Sequence, residues 1–312
     1  MLKLLPKSSL AYRPLVFNLL CLVPQFDTLS LRMIDSFAVK RVGILYHPKI
    51  EKAKAFSGEL EKFLSARNIS FWTCSAWEED KAKPRIAGSD LILSIGGDGT
   101  ILRAVRAIVP GEVPVVGINL GNLGFMTELK ADEAFDKLPR LLGGEGWIEK
   151  RAMLEAELPS QGKVFQALND VFVGRRSLSR LVQIETRVDG EILANHRADG
   201  VIVATATGST GYLLAADGPI LYPEAKQIVF KPVCPHLAPD NAVVLPPEAQ
   251  IQLKVTTTHE AMLSIDAQVE LPLASGDEVR VKLSRYVGCF LRIRPRAYFY
   301  SYLESRLKGK KS

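Results

Sequence analysis

The stretch ILSIGGDGTILRAV, residues Ile92–Val105, decides the fold. It begins as an apolar strand, turns at Gly96–Gly99, and continues as the start of a helix at Thr100. Because glycine lacks a Cβ atom, such a turn lets backbone N–H groups approach an anion, and a helix N-terminus favours phosphate. Asp98 nevertheless stands at the centre of the turn, where a carboxylate would repel a phosphate at close range.

Two interpretations of Asp98 follow from these residues alone. The carboxylate could hold Mg²⁺ against phosphates, or accept the proton of a hydroxyl group that attacks one, and both roles imply phosphoryl transfer. Alternatively, Gly-Gly-Asp-Gly is a tight turn in which Asp98 caps the helix. The turn matches neither GxxxxGK[ST] nor GxGxxG, so the motif by itself does not separate the two.

The flanking sequence predicts an α/β fold with two parts. Four apolar runs alternate with helical patterns and predict a doubly wound, Rossmann-like parallel sheet; they are Val39–Tyr46, Ile69–Thr73, Asp90–Ile95 and Val113–Asn119. After the GGEG turn at 143–146, short β-branched runs separated by Gly, Pro and Asp-Gly turns predict an antiparallel, sandwich-like β domain. We therefore expect an α/β nucleotide-binding domain over 39–147, completed by a C-terminal helix at about 292–308, and a β domain over 148–291.

Composition limits the function classes. The net charge is +6, but it is concentrated in a basic C-terminal segment that we interpret as a solvated tail, so no nucleic-acid partner is expected. The four cysteines form no CxxC pair, which favours reduced thiols in a cytoplasmic protein. The apolar run Leu15–Val23 is too short to span a membrane, so no membrane partner is expected. Residues 1–38 are expected to be a leader that is either disordered or the result of a mis-assigned start.

Three further segments contain candidate binding residues. GINLGNLGFMTEL, Gly117–Leu129, follows the strand next to the GGDGT strand, and Phe125 offers a ring on which a base could stack or which belongs to the core. The LND segment, Leu168–Asp170, pairs an amide with a carboxylate at the start of a strand. The segment Arg197–Ile220 sets hydroxyl groups and glycines at the end of an apolar strand, which is typical of a polar ligand cradle.

In this order, GGDGT, GINLGNLGF, LND and DGVIVATATGSTGY resemble the NAD kinase family, and the resemblance covers about residues 39–306. GGDGT is shared with diacylglycerol, sphingosine and phosphofructokinase relatives, whereas the other segments resemble NAD kinases in particular. Lipid kinases would follow GGDGT with a GTGND segment, which is missing here. The chain departs from the family pattern at Ala206, Gly211 and Asp217, and the first two should make the loop looser.

The resemblance implies that the β domain binds NAD and that the γ-phosphoryl group of ATP is transferred to the 2′-hydroxyl of its adenosine ribose, giving NADP. Asp98 would be the catalytic proton acceptor, and Mg²⁺ would arrive with ATP rather than be fixed by protein ligands. The expected substrate-binding residues are Gly97, Gly99, Thr100, Phe125, Asn169, Asp170, Arg180, Arg197, Asp199, Thr207, Thr210, Gly211, Tyr212, Leu213, Leu214, Ala215 and Gln268. The family also implies a homodimer or homotetramer.

Two alternatives stay open at this point. One is a kinase of the same superfamily that acts on a lipid or sugar hydroxyl, which the missing GTGND segment disfavours. The other is a non-catalytic nucleotide-binding regulator, which intact Asp98 and Asn169 disfavour and which Gly211 keeps open.

Overall fold

The computed structural model describes residues 39–121, 124–176 and 180–308, so the expected leader 1–38 lies outside the described residues. In chain order the strands β1 to β17 are Arg41–Tyr46, Ser70–Ser75, Leu91–Ile95, Val115–Asn119, Leu129–Lys130, Trp147–Leu158, Lys163–Ala167, Asp170–Arg175, Val182–Val188, Glu191–Ala198, Gly200–Ala204, Ile228–Val233, Val243–Leu245, Ile251–Thr256, Ala261–Ile265, Val269–Leu273 and Glu278–Arg292. The helices α1 to α6 are Glu51–Ser65, Glu79–Ile86, Asp98–Ile108, Ala131–Leu142, Tyr212–Ala215 and Tyr298–Lys308.

The N-terminal part is the predicted parallel sheet. Strands β2, β1, β3 and β4 lie side by side in that order and are all parallel. All five residues of β3 are buried, because α1 and α4 pack on one face of the sheet and α2 and α3 pack on the other. The strand order reverses between β1 and β3, which is where ligands bind in open α/β sheets.

The C-terminal part is the predicted sandwich. A six-stranded antiparallel sheet, ordered β13-β12-β11-β8-β15-β16, packs against the antiparallel end of a second sheet, formed by β10, β9, β14, β17 and β6. The core between them takes alternate residues from both sides, for example Val171 and Val173 of β8 with Ile251 and Leu253 of β14. An Asp-Gly hairpin turn joins β9 to β10, with left-handed φ values of 52° at Asp189 and 88° at Gly190.

The long strand β17 joins the two parts. It pairs with β14 near its start and with β4 near its end, so a single eleven-stranded sheet runs from the parallel to the antiparallel region. Arg292 still pairs with Trp147 of β6, and for this reason α6 begins only at Tyr298, later than the expected 292. The domain boundaries at 147 and 291 stay a prediction.

Sequence patterns did not predict every element. Helix α2 has only 8 residues, and α2 and α4 each contain a proline, a residue that usually marks the end of a helix. In the described part of the chain, no helix is long and apolar enough to cross a membrane.

Candidate active site

A cavity of about 800 Å³ opens where the carboxyl ends of β3 and β4 face the sandwich. Twelve of the predicted residues line it, although they come from five separate segments of the chain: Gly97, Asp98, Gly99, Thr100, Phe125, Asn169, Asp170, Thr207, Thr210, Gly211, Tyr212 and Gln268. The fold therefore brings GGDGT, Phe125, LND, the Thr207–Tyr212 loop and Gln268 to one place.

Asp98 is fixed by the neighbouring loop. It is the first residue of α3, and Gly97 is the N-cap, so the Asp98 side chain does not cap its own helix. Its two carboxylate oxygens accept hydrogen bonds from the backbone N–H groups of Phe125 at 2.8 Å and Met126 at 3.1 Å. A Cβ atom on Gly124 would lie 2.1 Å from Asp98 Oδ1, so only glycine lets the loop come this close.

A buried charge network supports that loop from below. Arg292 Nη1 donates to the carbonyl oxygen of Met126 at 2.9 Å and to Glu128 at 3.2 Å, and Nη2 donates to Glu149 at 2.9 Å. Burial alone would raise the pKa of Glu149, but Arg151 and Arg292 lower it to about 2. The end of β17 is thereby linked, through the Met126 backbone, to the Asp98 carboxylate.

A second acidic centre lies on the sandwich side of the cavity. The Asp266 carboxylate accepts N–H bonds from Leu168, Asn169 and Asp170, at 2.9, 2.7 and 3.0 Å. Asp170 lies in the same buried region, and burial, followed by the nearby charge of Asp266, raises the pKa of Asp170 to about 7. Burial also raises the pKa of Asp266, against the effect of its three N–H donors.

Three residues of the cavity wall carry buried oxygen atoms that have no partner in the described part of the chain. Thr100 Oγ1, Asn169 Oδ1 and Thr207 Oγ1 are buried, and none has a hydrogen-bond partner within the described ranges. All three residues line the cavity. Because a buried polar atom without a partner costs free energy, these atoms are suited to a polar ligand.

Gln268 connects the two sides of the cavity. Its Nε2 donates to the carbonyl oxygen of Gly99 at 2.9 Å, and its Oε1 accepts from Arg106 Nη1 at 3.0 Å.

The rings of Phe172 and Tyr212 meet edge to face, with centroids 5.6 Å apart, and both residues line the cavity. The site thus combines fixed carboxylates, free oxygens and an aromatic surface, which suits a nucleotide.

Six predicted residues are not among the described residues that line this cavity: Arg180, Arg197, Asp199, Leu213, Leu214 and Ala215. Asp199 pairs with Arg175 at 2.7 Å, and Leu213 is fully buried in an apolar cluster with Ile202 and Val229. Arg180 and Arg197 are exposed. Their roles as substrate contacts stay predictions.

The sequence patterns missed several lining residues, including His47, Trp77, Arg103, Phe172, Met262 and Asp266. His47 directly follows β1, so the rule that ligands bind at the carboxyl ends of parallel strands could have identified it. Asp266 and Ala267 form the tight turn between β15 and β16, with φ values of 51° and 52°. Its sequence, Asp-Ala, lacks the glycine that normally marks such a turn.

Fold and site together define a class of nucleotide-binding enzyme. A carboxylate fixed at a glycine-rich helix start, beside a cavity shared by a doubly wound sheet and a β sandwich, is suited to phosphoryl transfer to a hydroxyl group.

Comparison with known proteins leads to the same class of enzyme. Residues 50–146 match the ATP-NAD kinase N-terminal domain, and residues 168–293 match the ATP-NAD kinase C-terminal domain.

Individual relatives lead to the same family. An NAD kinase of Dehalococcoides mccartyi is 43% identical over 274 residues, 86% of this chain and 96% of the relative. An NAD kinase of Chloroflexus aurantiacus is 38% identical over 274 residues, which cover 86% of this chain and 99% of the relative. The chain belongs to the NAD kinase family, which consists of phosphotransferases with an alcohol group as acceptor.

Solved structures share the fold. An NAD kinase from Archaeoglobus fulgidus in complex with ATP superposes with a TM-score of 0.69 at 25% identity, covering 82% of this chain and 95% of the other. A yeast NADH kinase complexed with NADH gives a TM-score of 0.75 at 25% identity, and the match covers 88% of this chain and 89% of the other.

Proposed function

We propose that this chain transfers the γ-phosphoryl group of ATP to the 2′-hydroxyl of the adenosine ribose of NAD, giving NADP and ADP. We further propose that Asp98 accepts the hydroxyl proton. One observation carries the assignment of Asp98: its carboxylate lines the cavity and is held by the N–H groups of Phe125 and Met126. Family membership supports the reaction.

The proposed step begins as Asp98 takes the proton of the 2′-hydroxyl. The oxygen then forms a bond to the γ-phosphorus, and the bond from that phosphorus to the bridging oxygen of ADP breaks. A sugar hydroxyl has a high pKa, so a positioned carboxylate of this kind typically contributes ~10²–10⁴-fold to the rate. The N–H groups that hold Asp98 keep it aligned, because a misdirected carboxylate would not reach the proton.

Asn169, Asp170, Thr207 and Tyr212 are proposed to bind the dinucleotide. The support is the buried, unpartnered oxygens of Asn169 and Thr207 and the aromatic surface made by Tyr212 and Phe172. A ribose hydroxyl could donate to such oxygens, and an adenine ring could stack on such a surface.

Mg²⁺ is proposed to accompany the donor phosphates. Mg²⁺ usually keeps several waters and binds through substrate phosphates with one or two carboxylates, so it is expected to arrive with ATP. When bound, the ion would neutralise the negative charge of the donor.

A homodimer or homotetramer in the cytoplasm is proposed from the family resemblance. The free thiols of Cys74, Cys234 and Cys289 support a reducing compartment. Light scattering of the purified protein would measure the assembly directly, and a monomer mass would contradict the proposal.

The test of the reaction is NADP formation from NAD, ATP and Mg²⁺, detected with an NADP-specific dehydrogenase. Asp98→Asn should lower turnover by at least ~10²-fold while NAD binding, measured by calorimetry, persists. Asp90→Asn is a matched control, because the Asp90 carboxylate also accepts two backbone N–H bonds but does not line the cavity. Its turnover should stay normal.

Two results would contradict the proposal. Near-normal turnover of Asp98→Asn would refute the base assignment. Saturable NAD binding without any NADP would favour the non-catalytic regulator. The relatives described above are NAD or NADH kinases, so neither that regulator nor a lipid or sugar kinase is the favoured function.

A further inference from the structure

Phe125 lines two cavities at once. The first is the active cavity, where Phe125 shares a recess of the wall with Thr207 and Thr210. The second is a small cavity of about 60 Å³, which Phe125 shares with Phe299 and Tyr302 of the C-terminal helix α6. The Phe125 side chain therefore lies between α6 and the part of the active cavity that is proposed to bind the dinucleotide.

The contact between α6 and Phe125 is made by one aromatic ring. The Tyr302 ring meets the Phe125 ring edge to face, with centroids 5.7 Å apart, and both side chains are half-buried. Tyr302 itself stacks on Tyr298, about one helical turn earlier, with centroids 5.9 Å apart. Because an edge-to-face pair is attractive only in certain relative orientations, it favours one orientation of the Phe125 ring.

The start of α6 is anchored close to the Phe125 loop. Arg294, four residues before the helix, donates from Nε to the carbonyl oxygen of Glu128 at 3.2 Å and from Nη2 to Glu133 of α4 at 2.6 Å. Its guanidinium carbon lies 4.5 Å from the centre of the Tyr298 ring, in the first turn of α6. The helix is thus a fixed support for the ring of Tyr302.

The backbone and the side chain of Phe125 have different supports. The Phe125 N–H donates to Asp98, and the carbonyl oxygen of the next residue, Met126, accepts from Arg292. Neither hydrogen bond involves Tyr302. Loss of the Tyr302 ring should therefore release the Phe125 side chain while the backbone that holds Asp98 stays in place.

We propose that Tyr302 is a positioning residue for the dinucleotide, because it holds the Phe125 ring in the orientation that packs against this substrate. The identity of the substrate rests on the proposed function. Tyr302 does not line the active cavity and acts through Phe125. A ring that is already oriented loses less rotational freedom when a ligand packs on it, so Tyr302 contributes to NAD affinity and not to the chemical step.

The experiment combines calorimetric titration of the full chain with NAD and the kinetics of NADP formation. Tyr302→Ala should raise the Kd and the KM for NAD by about threefold to tenfold, the effect of losing one edge-to-face pair, and should leave kcat within about twofold. Tyr302→Phe keeps the ring and should restore the wild-type values.

A double-mutant cycle tests whether Tyr302 acts through Phe125. In a Phe125→Ala background, Tyr302→Ala should not weaken NAD binding further, because no ring is left to orient. Tyr300→Ala is the matched control on the same helix. The Tyr300 side chain is 62% exposed, stacks on Tyr222 with centroids 6.2 Å apart, and lines neither cavity, so this variant should bind NAD as the wild type does.

Four results would overturn the proposal. These are unchanged NAD affinity in Tyr302→Ala, equal losses in Tyr302→Ala and Tyr300→Ala, full additivity in the cycle with Phe125→Ala, or a fall in kcat that exceeds the rise in KM. The last result would mean that α6 positions Asp98 instead of the substrate. A wild-type protein that binds NAD but makes no NADP would contradict the proposed function, while the NAD titrations would still decide the role of Tyr302.

Discussion

Asp98 and Asp170 line one cavity, yet their carboxylates lie in opposite environments. Two backbone N–H groups fix the oxygens of Asp98, which is only half-buried. Asp170 is buried close to a second carboxylate, Asp266, and its pKa is raised to about 7. The comparison shows that two carboxylates of one cavity differ because burial and a neighbouring carboxylate raise the pKa of Asp170 toward neutrality, whereas backbone N–H groups hold the oxygens of Asp98 in position.

We expect the largest effect on turnover from a substitution at Gly124, because its backbone lies next to the Asp98 carboxylate. In Gly124→Ala the new Cβ atom would lie 2.1 Å from Asp98 Oδ1, so the carboxylate must move and lose both N–H bonds. Displacement of a catalytic group by about 1 Å can cost on the order of 10²-fold, and we expect turnover to fall by about this factor.

Gly121→Ala is the control for this variant. It lies in the same loop, and the nearest atom to its new Cβ, Asn119 Oδ1, is 3.8 Å away, an ordinary contact. The measurement is NADP formation at saturating NAD and ATP. Equal turnover of the two variants would show that the fixed position of Asp98 does not matter.

An intermediate effect concerns the pH dependence of stability. The pKa of Asp170 is raised from 3.8 to about 7, so between these values the folded protein binds more protons than the unfolded chain. The free energy of unfolding therefore falls as pH rises through this window, and the stability contribution of the protonated carboxyl is lost above about pH 7. Asp170→Asn should remove most of this fall and raise stability above pH 7 by on the order of 2 kcal/mol.

Melting temperatures at about pH 5 and about pH 8 would check this second prediction. Asp136→Asn is the control, because Asp136 is exposed on α4 and lies outside the cavity. An Asp170→Asn variant with the same pH slope as Asp136→Asn would mean that Asp170 is charged throughout this pH range.

The smallest effect tests the turn that positions Asp266. Ala267 has a φ of 52°, a left-handed conformation that costs an L-residue roughly 1–2 kcal/mol and that glycine adopts freely. Because glycine also loses more chain entropy on folding, Ala267→Gly should raise the free energy of unfolding by only about 0.5–1 kcal/mol.

The measurement for this third prediction is the midpoint of urea unfolding. Ala66→Gly serves as control, since Ala66 has a φ of −61° and gains no strain relief. It should lower stability. Shifts of the same sign in both variants would show that the turn holding Asp266 is unstrained.

Local sequence predicted much of the fold. The alternation of apolar strands and helices around GGDGT predicted the parallel sheet, and the β-branched runs after residue 146 predicted the sandwich. Both patterns repeat over short distances and reflect burial on one or two faces, which a sequence displays directly. Helices α2 and α4 were not predicted, and each contains a proline, which in a sequence usually marks the end of a helix.

The sequence by itself determined which segments could contact a nucleotide, since the glycine turns, LND and the hydroxyl-rich loop are local features. Only the tertiary structure decided that Asp98 is held by Phe125 and Met126, that Asp170 is buried beside Asp266, and that Arg103 stacks on Trp77 in the cavity wall. Hydrogen bonding, burial and charge depend on distances between residues far apart in the chain, and those distances exist only once the two sheets have packed together.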